Sequence, residues 1–202
     1  MQQPPFQFYI TQLNPLKIIL ASKSPRRSDL LQQMGLQFIV ESRDVEENYS
    51  NDLALEQVPI FLAEKKAHAF DGADEDSVII TADTIVLCQN QLLGKPEDRD
   101  DAVRMLNILS GSVHTVITAV TIVFQGVMTT FSDKTDVYFR YLKQSEIEYY
   151  VDKFQPLDKA GSYGIQDWIG VNAIERIEGS YTNVVGLPTE KLYRKLLELG
   201  II

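Results

Sequence analysis

Three long runs constrain what this chain can fold into. Residues 77–87 are β-branched and apolar almost throughout, and two further strand-like runs, 113–124 and 127–139, meet at Gln125-Gly126. Strands this long are about twice the usual length, and a short Gly-containing junction between two of them reads as a hairpin. Between the runs lie segments with apolar residues at helical intervals: Pro25–Met34, Asp52–Phe70 (bent or restricted early by Pro59), Asp98–Leu109, Gln144–Lys153 and Pro188–Leu199. Shorter strands are expected at 16–20, 37–40 and 171–178. Helices and strands therefore alternate around a long, mixed and twisted sheet, which makes the fold class α/β.

At 202 residues and 45% hydrophobic, the chain suffices for one domain, expected over 15–202, after a polar, Pro-containing arm at 1–14. Met1-Gln2-Gln3-Pro4-Pro5-Phe6 lacks the basic and apolar regions of a secretory signal, and no apolar run is long enough to span a bilayer. The lone cysteine, Cys88, rules out an internal disulfide framework and a multi-cysteine zinc site; within Ile85-Val86-Leu87-Cys88 it reads as a buried strand thiol. A cytoplasmic location is expected. A net charge of −9 opposes binding to a nucleic-acid polymer, yet cations gather at 23–27, at Lys65-Lys66, at Lys95 and at Lys159, a pattern suited to a small phosphorylated ligand.

The segment Leu20-Ala21-Ser22-Lys23-Ser24-Pro25-Arg26-Arg27 carries the most chemistry. Ser24 is a suitable N-cap and Pro25 a suitable first helical residue. Lys23, Arg26 and Arg27 then crowd the positive end of a helix dipole, which is unfavourable unless an anion is present. The alternative is a solvated basic turn. Asp83 is a second anomaly, a carboxylate inside an apolar strand; it needs a cation, a metal or several donors, or else it belongs to an Asp-Thr turn between two strands. Glu47, in an acidic loop, and Asp83 could supply the one or two carboxylates that magnesium takes alongside substrate phosphates. Lys95 stands in a stiff Gly-Lys-Pro turn, Lys66 on a helix, and His114 at a strand entrance, where a lone histidine is more often structural. Gln166 follows Gly161-Ser162-Tyr163-Gly164-Ile165 and can donate and accept at once, as base recognition requires.

Together these pieces resemble the Maf family of nucleoside triphosphate pyrophosphatases. The matching segments are 20–27, Val45-Glu46-Glu47, Leu62–Ala67, Ala82-Asp83-Thr84, Gly94-Lys95-Pro96, Leu109-Ser110-Gly111 with His114, Lys159–Gln166 and Val185-Gly186-Leu187-Pro188. The resemblance implies an elongated α/β fold with a deep groove between two lobes, similar to inosine triphosphate pyrophosphatases. It also implies a divalent metal and a homodimer, and it makes Asp83 the proton acceptor. Arg26, Thr84 and Gln166 match positions that mark the branch acting on dTTP and UTP; the 7-methyl-GTP branch carries Trp in place of Arg26. Lys23 and the long arm depart from the family pattern.

The mechanism that fits places Ser22, Ser24, Arg27, Lys66 and Lys95 on the triphosphate, with Mg²⁺ or Mn²⁺ bridging it to Glu47 and Asp83. Asp83 would activate water against the α-phosphorus, while Arg26, Thr84 and Gln166 read the base. The rivals are the 7-methyl-GTP branch and a nucleotide-binding regulator of cell division with weak catalysis. A serine esterase lacks both a histidine partner and a Gly-x-Ser-x-Gly elbow.

Overall fold

The computed structural model describes residues 16–202; the arm expected at 1–14 lies outside them. Among these described residues seven strands form one mixed sheet: β1 (Lys17–Leu20), β2 (Ile39–Val40), β3 (Ser77–Cys88), β4 (Gln91–Leu93), β5 (Val113–Phe124), β6 (Val127–Phe139) and β7 (Ile174–Glu178). Their order is β2-β1-β3-β5-β6-β7, with β4 also on β3. β1 runs parallel to β2 and β3, and every other pairing is antiparallel. The long runs are thus single strands of 12, 12 and 13 residues. β5 turns into β6 with positive φ at Gln125 (50°) and Gly126 (74°), the primed turn whose twist matches a tight hairpin.

Among the described residues seven α-helices cover the sheet: α1 (Pro25–Gln33), α2 (Val58–His68), α3 (Arg99–Leu109), α4 (Gln144–Phe154), α5 (Trp168–Ala173), α6 (Tyr181–Val185) and α7 (Thr189–Glu198). α2 starts at Val58, with Pro59 in its first turn, where a missing N–H costs nothing; only a single 3₁₀ turn, Leu55–Gln57, precedes it. The strand expected from 171 begins only at Ile174. Residues 171–173 close α5, because Ile169 and Ala173, four apart, bury against the core at helical spacing.

Alternation along β3 assigns each side chain a face. On one face, Ile80 and Ala82 pack with Val120, Leu30, Leu31, Leu192 and Leu196, so α1 and α7 cover that end. Farther along the same face, Val86 packs with Val116, Leu106, Ile147 and Tyr163, under α3, α4 and the 160–174 segment. On the opposite face Ile85 and Ile117 meet Val58 and Leu62 of α2. Thr81 Oγ1 donates to Ala63 O at 2.7 Å, which fixes α2 on β3.

The sheet has a notch. β1 pairs with β3 only over Ser77–Ile80, and β4 returns to that edge only over Val86–Cys88. Between them, residues 81–85 have no strand neighbour on that side among the described residues.

His114 is 1% exposed and packs edge-on against Phe139 and Tyr163. Nε2 lies 2.8 Å from Tyr163 Oη, while Nδ1 has no partner among the described residues. Burial pushes its pKa down to about 3. The unfolded chain protonates His114 below pH 6.5 and the folded chain does not, so stability declines as pH falls from 6.5 towards 3, by about 1.4 kcal/mol per unit. Urea titrations at pH 7 and 4.5 should show this loss in the wild type and its removal in His114→Gln. An identical pH dependence in both proteins would contradict it.

Candidate active site

A cavity of about 560 Å³ opens at the notch, and every candidate residue from the sequence lines it: Ser22, Ser24, Arg26, Arg27, Glu47, Lys66, Asp83, Thr84, Lys95 and Gln166. Because β3 is bare there, both of its faces contribute. Asp83 projects towards α2 and Thr84 towards α1 and α6.

Asp83 sits mid-strand, paired with Ala119 across β5, so it belongs to no turn. Lys66 of α2 donates to its Oδ1 at 2.6 Å and lies 2.8 Å from Glu47 Oε1. Asp83 and Lys66 are 11% and 18% exposed at the side chain, against 46% for Glu47. Their environments separate the two carboxyls. Burial raises the Asp83 pKa, against the pull of Lys66 and Arg27. Burial also acts to raise Glu47, but Lys66, with Lys95 and Arg27 farther off, outweighs it and holds Glu47 below its usual range. A carboxylate with an elevated proton affinity beside one kept ionised is a division of labour suited to general-base chemistry.

Arg27 reaches across the notch. Its Nε donates to Gly186 O (2.9 Å), Nη1 to Ala82 O (2.8 Å) and Ser22 Oγ (3.2 Å), and Nη2 to Thr84 Oγ1 (3.0 Å). Four of its five N–H groups are therefore engaged by protein, one of them replacing the strand neighbour that Ala82 lacks. Burial lowers its pKa, partly offset by Asp83.

The other cations of this turn are paired as well. Lys23 meets Asp44 at 2.6 Å, both well exposed, and Arg26 meets Asp158 Oδ2 at 2.6 Å. Asp158 also accepts from Lys159 at 2.7 Å, linking α1 to the far wall of the cavity. Asp158 was not among the residues singled out from sequence; its place in the Gly-containing 157–166 stretch, next to a lysine, was the available signal. Ser24 occupies the N-cap position of α1 but makes no capping bond with its side chain; its N–H donates to Ser22 Oγ at 3.2 Å and the residue lines the cavity.

Lys95 follows β4 and is exposed on the cavity wall. Gln166, also exposed, rides on a pinned turn: Asp167 N donates to Gly164 O, Gly164 N to Tyr150 Oη, and Tyr150 Oη to Asp167 Oδ2 at 2.8 Å. A Cβ at Gly164 would lie 2.7 Å from Asp167 Oδ2, so a side chain there would push that carboxylate away from Tyr150 Oη. Tyr163 packs in the core against His114, which keeps that histidine out of the chemistry.

Among the described residues no three His, Cys, Asp or Glu side chains converge as a metal cage. Glu47 and Asp83 do converge, on the Lys66 ammonium, and two hard oxygen donors completed by phosphate and water form an ordinary magnesium set. The donor chemistry fits such an ion. No helix among the described residues is long and apolar enough to cross a membrane.

Comparison with known proteins places this arrangement in a family. A dTTP/UTP pyrophosphatase of Bacteroides fragilis (strain YCH46) is 47% identical over 192 residues, covering 94% of this chain and all of the relative. Proteins of the same name from Porphyromonas gingivalis (strain ATCC BAA-308 / W83) and Flavobacterium psychrophilum are 45% and 48% identical, covering 95% and 90% of the chain and 98% and 93% of the relatives. Among solved structures, the Staphylococcus aureus Ham1 protein aligns over 91% of this chain and 99% of its own, at 14% identity and a TM-score of 0.49. The profile of the family described as Maf-like protein matches residues 17–199, nearly the whole described chain, and the protein belongs to that family.

Proposed function

We propose that the protein hydrolyses dTTP and UTP to the nucleoside monophosphate and pyrophosphate, clearing nucleotide pools in the cytoplasm. One observation carries the reading: Asp83, Lys66 and Glu47 share the cavity with Arg26, Thr84 and Gln166, the positions that mark the dTTP/UTP branch. Relatives bearing that name and nearly half identical over their full lengths support it.

In this reading Asp83 takes a proton from water as the oxygen attacks the α-phosphorus; the bond to the oxygen bridging α and β breaks, and pyrophosphate leaves. Ser22, Ser24, Lys66, Lys95 and the last N–H of Arg27 hold the phosphates. Glu47 and Asp83 would hold Mg²⁺ or Mn²⁺, which when bound neutralises charge building on the phosphate oxygens. Arg26 and Gln166, on opposite walls, meet the base edge together with Thr84.

A panel of UTP, dTTP, CTP, ATP and 7-methyl-GTP, each assayed for pyrophosphate release with Mg²⁺ or Mn²⁺, tests this. Turnover concentrated on UTP and dTTP is expected; preference for 7-methyl-GTP would move the protein to the neighbouring branch. Gln166→Ala should narrow the preference for UTP over CTP more than it lowers UTP turnover, because a site built to pair polar groups rejects what leaves them unpaired. Equal losses on both substrates would remove Gln166 from base reading.

A further inference from the structure

The hydroxyl of Thr84 has its proton assigned by residues behind it. Thr84 and Thr118 are direct partners across β3 and β5, with their Oγ1 atoms 2.9 Å apart. Thr118 is fully buried, and its Oγ1 lies 2.9 Å from the backbone oxygen of Asn183. That carbonyl can only accept, so Thr118 donates to it and must accept from Thr84. The reverse assignment would leave two oxygens facing each other at 2.9 Å without a proton between them. Arg27 Nη2 meanwhile donates to Thr84 Oγ1 at 3.0 Å. One proton and one lone pair of that hydroxyl are therefore spent inside the protein.

Asn183 cannot yield. It is fully buried; its Oδ1 accepts from Thr118 N at 3.2 Å, and its Nδ2 donates to Val116 O at 3.1 Å and to Thr135 Oγ1 at 2.9 Å.

We propose that Thr118, backed by Asn183, is a positioning residue for substrate choice: it fixes Thr84 as an acceptor, so that the cavity selects pyrimidines carrying N3–H and rejects cytosine, whose N3 is itself an acceptor. This rests on the reading of Thr84 as a base contact. Without Thr118 the Thr84 proton can turn into the cavity and meet the cytosine lone pair.

Thr118→Val preserves shape and β propensity, and Gly186 N still donates to Asn183 O at 3.1 Å. The readout is the ratio of kcat/KM for UTP to that for CTP within one variant, which a loss of folded fraction does not change. Thr118→Val should lower the ratio by about tenfold, the worth of one hydrogen bond of roughly 1.4 kcal/mol, while Thr118→Ser keeps it near wild type. Thr118→Ala removes the same hydroxyl and serves if the valine variant does not fold. A wild-type ratio in Thr118→Val or Thr118→Ala, with a lowered ratio in Thr84→Val, overturns the role of Thr118 and leaves the base reading standing. An unchanged ratio in Thr84→Val overturns both.

Discussion

Asp83→Asn should retain the fold and lose about 10²–10⁴-fold in turnover, the usual worth of a positioned general base. Asparagine has the same shape and can still accept from Lys66 through its side-chain oxygen, so far-UV circular dichroism and the melting temperature should change little. What disappears is a group able to take a proton. The pH profile adds a second mark. Burial raises the Asp83 pKa, so wild-type activity should fall on the acid side at a pH above that of an ordinary aspartate, and the residual activity of the variant should lack this limb. Near-normal turnover in Asp83→Asn would remove the residue from the chemistry.

The second large effect is on stability. Arg27→Met leaves Ala82 O, Gly186 O and Thr84 Oγ1 without their donor, and Ser22 Oγ with the Ser24 N–H alone. Hydrogen bonds from a charged donor are worth about 1.5–3 kcal/mol each and overlap when one side chain makes several, so a loss of about 3–5 kcal/mol is expected. For a domain of this size that lowers the melting temperature by roughly 10 °C. Arg27→Lys should recover little, since an ammonium keeps the charge but lacks the planar fork that spans four acceptors on three segments. Thermal and urea unfolding of both variants measures this. A wild-type melting temperature in Arg27→Met would reduce the guanidinium to a ligand contact.

The sheet was legible because its signals are local. The β-branched run of β3, the Gln125-Gly126 turn and the helical spacing of α3 and α7 each lie within a dozen residues. The short elements were not. α5 and α6 have six and five residues, too few for a period to emerge, and residues 171–173 looked like strand because Val171 and Ile174 bracket Asn172 and Ala173. Ser180, which accepts from Asn183 N as the N-cap of α6, was the one cue to that helix. At the site, the residue types that converge could be collected from motifs, but their partners could not. Arg27 stood with the other cations of its turn, whereas the atoms it binds lie 55, 57 and 159 residues away as well as five. Thr118 and Asn183 carried no signal, because a buried threonine in a strand and an asparagine in a short helix are ordinary until their hydrogen bonds are traced.

An unpaired stretch of central strand is ordinarily a hazard, because its bare amides and carbonyls invite a foreign chain to add itself and start aggregation. Here a guanidinium occupies the carbonyl of Ala82, and flanking lysines and arginines make the gap inhospitable to another backbone, whereas in the proposed reading they receive a compact polyanion. The opening is thus guarded against self-association by the same charges that the proposed reading assigns to the substrate, so neutralising those cations should expose this edge to pairing and, on that reading, weaken ligand binding as well.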